Sequence, residues 1–201
     1  MATTSNQSQA YNIATSLPLG QAMRGLPGQY FKVLTRPSVK TFAEEKGKGG
    51  WGVIWVQFIA LGVIDAIISV VAILISPASI GSIPNSGGLS QATLQTVAMI
   101  TTVVLQLVLT PVSFLFAGGI LYLISRAFGG RGKFVEQIYV TLLFGVPLVI
   151  LSTLLSLIPG FGDWLLYVPH IYSLLLIVLA LIAVHRKSEG SAEQSVPAQR
   201  N

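Results

Sequence analysis

Hydrophobic positions along the chain gather into four long runs with short polar breaks between them: Trp51 to Ser76, Thr93 to Ser125, Ile138 to Ile158 and Trp164 to Val184. The first contains one ionisable residue, Asp65; the second and third contain none; the fourth contains only His170. A helix rising 1.5 Å per residue needs about 20 apolar residues to cross the hydrocarbon of a bilayer, so each run suffices for one crossing. Asp65 costs about 2.5–3.5 kcal/mol at the bilayer centre, whereas each Leu, Ile, Val or Phe returns about 0.3–0.6 kcal/mol, so the first run still inserts. The pattern predicts an all-α fold: an integral membrane bundle of four transmembrane helices, with spans at about 51–76, 95–125, 136–158 and 163–185.

The second run is long for one crossing and short for two, with Pro111 near its middle. Loop charge decides between the two. Arg24, Lys32, Arg36, Lys40, Lys46 and Lys48 precede the first span, and the loop after it is uncharged. Arg126, Arg131 and Lys133 follow the second span, only Asp163 lies between the third and fourth, and Arg186 and Lys187 follow the fourth. This alternation fits four crossings with both termini cytoplasmic. It predicts one tilted or Pro111-kinked second helix, and a tight basic turn at Gly118–Phe134 from which the rest of the chain can be placed.

Ahead of the first span, residues 1–28 are rich in Ser, Thr, Gln, Asn and Gly, and read as a disordered cytoplasmic tail, as do residues 189–201. Between them, residues 29–188 form the membrane domain. Residues 29–46 are patterned differently from the tail. Tyr30, Phe31 and Leu34 share one side of a helix, Pro37 interrupts it, and Val39, Phe42 and Ala43 restart an apolar face. Too polar to cross, this stretch is expected to be an amphipathic segment at the membrane interface, a role compatible with a short helix packed on the ends of the spans.

Composition narrows the class further. Charged residues make up 9% and apolar residues 52% of the chain, which excludes a water-soluble domain. There is no cysteine, hence no disulfide framework or thiolate metal site. The net charge of +5 sits beside the hydrophobic runs, which points to anionic lipid and away from nucleic acid. Arg36, Lys40, Arg126, Arg131 and Lys133 are the candidate contacts to lipid headgroups or a partner. The glycine-rich turn is not a nucleotide loop: Ala127 and Phe134 stand where a Walker sequence needs Gly and Ser or Thr. No cofactor, metal site or hydrolytic constellation is expected.

Inside the membrane, Asp65 and His170 fall at similar depths, with Gln106 and Thr110 in the same layer. The layer reads first as structural contacts between helices, and alternatively as the working part of a small transporter or channel component. Gly62 and Ala66 on the first span, with Gly118 and Gly119 on the second, are small enough for close helix approach, within one chain, in a homo-oligomer or against a membrane-protein partner. Trp51, Trp55, Trp164 and Tyr167 mark the two membrane boundaries.

Several short stretches, taken in order, resemble the Yip family, named for interaction with Ypt/Rab GTPases. They are Leu34-Thr35-Arg36-Pro37-Ser38-Val39-Lys40-Thr41-Phe42, the turn from Gly118-Gly119 to Phe128-Gly129-Gly130-Arg131-Gly132-Lys133-Phe134, Pro147, and the terminal run Tyr172-Ser173-Leu174 to Ala183-Val184-His185-Arg186. The resemblance implies a small polytopic protein without catalysis, serving as a scaffold or helper in membrane organisation or trafficking. Eukaryotic members are described with five spans and a lumenal carboxyl end, unlike the four read here, and no GTPase contact transfers to this sequence. The compact loops and lack of cysteine point to a bacterial inner membrane; a eukaryotic member would be placed in the Golgi or endoplasmic reticulum.

Overall fold

A computed structural model describes residues 19–75, 88, 90–158 and 162–185. Its elements are helical: α1 (Leu19–Thr35), α2 (Val39–Glu45), a 3-10 turn (Lys46–Lys48), α3 (Trp51–Ile75), α4 (Gln91–Ala127), α5 (Phe134–Leu155), the single turn α6 (Gly162–Leu165) and α7 (Tyr167–His185). There is no strand among the described residues. Helices α3, α4, α5 and α7 are each long and apolar enough to cross a membrane.

The second hydrophobic run is one unbroken helix. At 37 residues α4 extends about 55 Å, well past the hydrocarbon thickness of about 30 Å, and Pro111 lies inside it without ending it. Ser90 starts it by accepting the Thr93 backbone N–H at 3.2 Å. Gly129, at φ 83°, stops it. There the Gly130 N–H bonds back to Ser125 O at 2.8 Å and the Gly129 N–H to Arg126 O at 3.0 Å, the paired bonds of a Schellman ending.

Helix α5 is the centre of the bundle. Its buried residues run almost continuously from Gln137 to Leu148, because α3, α4 and α7 all pack on it. Pro147 sits inside it. By contrast α4 is peripheral, with Gly118 its one buried residue. α4 and α7 pack on different flanks of α5 and meet only marginally, leaving a groove of about 330 Å³ over Gly145 and Leu148.

The amino-terminal segment differs from its sequence reading in two ways. Helix α1 begins at Leu19, so residues 19–28, expected to be disordered, are its first turns; residues 1–18 and the expected carboxyl tail lie outside the described residues. Of the expected apolar face, Phe31 and Ala43 stay exposed, whereas Phe42 is buried and Tyr30, Leu34 and Val39 are half-buried. Ala22, Leu26, Gln29 and Val33 of α1, and Thr41, Phe42 and Glu45 of α2, are buried against the bundle. The break at Pro37 folds the two helices into a hairpin. Ser38 caps α2 by accepting the Thr41 N–H at 3.0 Å, and the Phe42 ring meets Phe144 edge-on at 6.1 Å. The hairpin docks into the bundle because α3, α5 and α7 offer it matching polar partners at its own level.

Candidate functional site

One end of the bundle gathers Leu19, Trp51, the α4–α5 turn and His185. Leu19 lies beside Gly52, the Trp51 and Phe134 rings are 6.2 Å apart, and Tyr122 stacks near both Phe134 and His185. The basic turn and both ends of the described chain therefore share a face, as an even number of crossings requires.

The two arms of the hairpin are held together by charge. Glu45, 1% exposed, receives Lys32 Nζ at 2.8 Å and Lys48 Nζ at 2.7 Å, while Lys32 also reaches Glu44 at 2.8 Å. Burial pushes the Glu45 carboxyl up, but the hydrogen bonds and attraction of Lys32 and Lys48 outweigh it and hold the group below the usual carboxylate range. Lys46 Nζ donates to Ala183 O at 3.1 Å, joining the hairpin to the end of α7. Further along, the Tyr30 hydroxyl donates to Gln57 Oε1 at 3.0 Å, the Tyr139 hydroxyl to Gln29 Oε1, and the Tyr172 hydroxyl to Leu34 O. Burial pushes the Tyr30 hydroxyl up to about 12, so it remains a donor at physiological pH. Gln57 Nε2, also buried, has no partner among the described residues. Gly49 passes so close to the buried Tyr139 ring that a Cβ would overlap it.

A second chain of bonds fixes the basic turn. The Gly132 N–H donates to His185 Nδ1 at 3.2 Å. A backbone N–H can only donate, so Nδ1 carries the lone pair and the ring proton sits on Nε2. From there Nε2 donates to Gln137 Oε1 at 2.9 Å, and Gln137 Nε2 donates to Gly118 O at 3.1 Å. Turn, α7, α5 and α4 are thus linked through two side chains. The glycines have separate causes: Gly129 needs its positive φ, whereas a Cβ on Gly130 or Gly132 would meet His185 or Val184.

The charges expected to face lipid or a partner are exposed. Arg36, Lys40, Arg126, Arg131 and Lys133 all lie on the surface. Of these, Arg126 stacks at 5.9 Å over Tyr122, and Lys133 lies 3.7 Å from Glu136.

The intramembrane layer is arranged differently from its sequence reading. Asp65 Oδ1 accepts the Thr153 hydroxyl of α5 at 2.6 Å, and no hydrogen bond joins it to His170, Gln106 or Thr110 among the described residues. The exposed His170 bonds through Nδ1 to Leu166 O of its own helical turn and sits on the rim of the α4–α5–α7 groove. Gln106 and Thr110 are half-buried on α4. Of the small residues, Gly62 lies against the backbone of Gln106 and Leu107, and Ala66 is buried beside Leu107. Gly118 lies against Ile138, while Gly119 faces open space.

Sequence reasoning missed Glu45, Gln57, Gln137, Thr153 and His185. Glu45 carried a signal: it is one of only seven acids in the chain, with Lys48 three residues on. For Thr153 no signal existed, since a lone threonine in an apolar run marks no partner.

The family model described as Yip1 domain matches residues 31–193 of the chain. No curated protein and no solved structure matches it.

Proposed function

The chain belongs to the Yip1 domain family, and on that premise we propose that it is a non-enzymatic membrane scaffold or helper in membrane organisation or trafficking, with both termini cytoplasmic. Its basic end holds anionic headgroups, and the exposed length of α4 meets a membrane-protein partner or a second copy. The observation that carries this reading is the docking of the hairpin on α3, α5 and α7 through Tyr30, Gln29, Leu34 and Lys46, which leaves Arg36, Lys40, Arg126, Arg131 and Lys133 outward. The transporter reading draws no support from the geometry, because Asp65 and His170 do not form a joint site.

Lacking native cysteine, the chain allows a direct test. Arg131→Cys in oriented membrane vesicles reacts with an impermeant maleimide from the cytoplasmic face only. Labelling from the opposite face would overturn the topology and the headgroup role with it.

A further inference from the structure

Resting on the four-span reading, the depth of the hairpin leads to an additional site. Tyr172 of α7 bonds to Leu34 O beside the hairpin's tip, and Lys46 at its base bonds to Ala183 O. Residues 172 and 183 are separated by roughly 16 Å along α7. The Phe42–Phe144 contact, midway along α2, lies about 8 Å further along α5 than the Gly49–Tyr139 contact at the hairpin's base, so the hairpin runs inward along the bundle. The described part of α7 has 19 residues, about 28 Å against a hydrocarbon thickness of about 30 Å, and the sequence turns charged directly after it at Arg186 and Lys187. The helix has no length to spare, so the hairpin's tip stands at hydrocarbon depth.

The hairpin's outer side carries charge among apolar groups: Phe31 and Ala43 are exposed there, but so are several ionisable side chains. Arg36, Lys40 and Glu44 are exposed there, with Lys32 partly so, while at the same levels α7 exposes Leu174, Leu175, Val178 and Ile182. Glu44 is paired with Lys32. No salt bridge is formed by Arg36 or Lys40 among the described residues, although Lys40 lies near enough to Glu44 to attract it. Charged groups at membrane depth face water-filled space or an opposite charge, because exposure to hydrocarbon is too costly. The anion that a phospholipid leaflet itself supplies is the headgroup phosphate.

We propose that the outer side of the α1–α2 hairpin is a hydrated notch opening from one leaflet and reaching about as deep as the bilayer midplane, in which Arg36 and Lys40 hold the phosphate of a phospholipid drawn below the normal headgroup level. The leaflet is locally thinned around the hairpin. This gives the hairpin a membrane-deforming role that surface-lying basic residues would not have.

Cysteine substitutions in proteoliposomes test it. Lys40→Cys and Ala43→Cys on the hairpin, and Val178→Cys and Ile182→Cys on α7, are compared with Arg131→Cys for reaction with an impermeant maleimide applied to the face on which Arg131→Cys reacts. The hairpin positions label within about 10-fold of Arg131→Cys and the α7 positions at least 100-fold more slowly. Hairpin positions as slow as those on α7 would overturn the notch; α7 positions as fast as the hairpin would instead overturn the four-span placement. In parallel, Arg36→Ser/Lys40→Ser protein from nanodiscs containing phosphatidylglycerol retains at least one fewer lipid by native mass spectrometry than wild type, at an unchanged melting temperature. Rapid labelling with unchanged retention would leave only water in the notch and overturn the phosphate assignment.

Discussion

The backbone N–H of Gly132 and the ring of His185 are hydrogen-bonded at 3.2 Å across 53 residues of chain. This one bond decides where the basic turn stands, because Gly132 is buried while its neighbours Arg131 and Lys133 point outward. Val184 and His185 close over the turn so tightly that side-chain atoms are excluded at Gly130 and Gly132. Removing the imidazole would orphan Gln137 Oε1 in the core. His185→Ala is therefore expected to cost about 1–3 kcal/mol, read as a lower melting temperature in mild detergent, with faster proteolysis at Arg131.

The three turn glycines separate two causes of strain. Gly129→Ala places a side chain at φ 83° but in open space, and should cost about 1–2 kcal/mol, with Asn tolerated better than Ala. Gly132→Ala keeps an ordinary φ but sets a Cβ 2.8 Å from Val184 O, and its overpacking cost of about 1–3 kcal/mol should not be relieved by Asn. Melting temperatures of the Ala and Asn variants at both positions provide the comparison; equal responses to Asn would remove the distinction.

How much of this was legible in the sequence depends on the kind of force involved. The four spans follow from apolar runs long enough to cross a bilayer, a property of composition that needs no partner. The unbroken α4 was legible through loop charge, and the break between α1 and α2 through Pro37. The docking of the hairpin was not. Val33 and Phe42 look the same in sequence whether their neighbour is an acyl chain or Phe144, and only the placement of Gln29, Tyr30 and Leu34 opposite Tyr139, Gln57 and Tyr172 decides it. Asp65 stands out in sequence as the one acid of its apolar run, but its hydrogen bond goes to Thr153, and depth counting gave His170 as a neighbour because it fixes level and leaves rotation about the helix free.

Glu45 makes the closure of the hairpin on itself non-additive. Lys32→Met or Lys48→Met leaves the buried carboxylate one cation, and the lost partner is partly exposed, so each single change should cost no more than about 1 kcal/mol. Together they strand a buried charge, and the double variant should lose about 3–5 kcal/mol. Additive behaviour in a double-mutant cycle would show that Glu45 is not held between the two lysines. The pH dependence has a fixed sign. The folded pKa of Glu45 lies below its unfolded value, so the unfolded chain takes up the proton first. The stabilisation is fully present above about pH 4.3 and is lost as pH falls through the lower folded value. Glu45→Gln should flatten that acid limb of the melting profile.

Tyr30 and Gln57 present the opposite case, a polar pair whose joint removal is tolerated. Tyr30→Phe takes away the one partner of Gln57, whose Nε2 is already unpaired, and should destabilise by about 1–3 kcal/mol. Adding Gln57→Leu removes the orphan and should restore the wild-type melting temperature or exceed it. A double variant less stable than Tyr30→Phe alone would mean that Gln57 Nε2 is satisfied by bound water.

Asp65 separates the scaffold reading from transport. Its hydrogen bond with Thr153 joins α3 to α5, and such contacts in membranes average about 0.6 kcal/mol and reach about 1.7 kcal/mol. Asp65→Asn keeps an oxygen for the Thr153 hydroxyl, so its melting temperature should stay near wild type, and Thr153→Val should fall by no more than that range. Neither change should alter proton or cation flux in liposomes, because His170 bonds within its own helical turn and no hydrogen bond joins it to Asp65 among the described residues. Flux present in wild type and abolished by Asp65→Asn at unchanged stability would make the carboxylate a working group and return the transporter reading to first place.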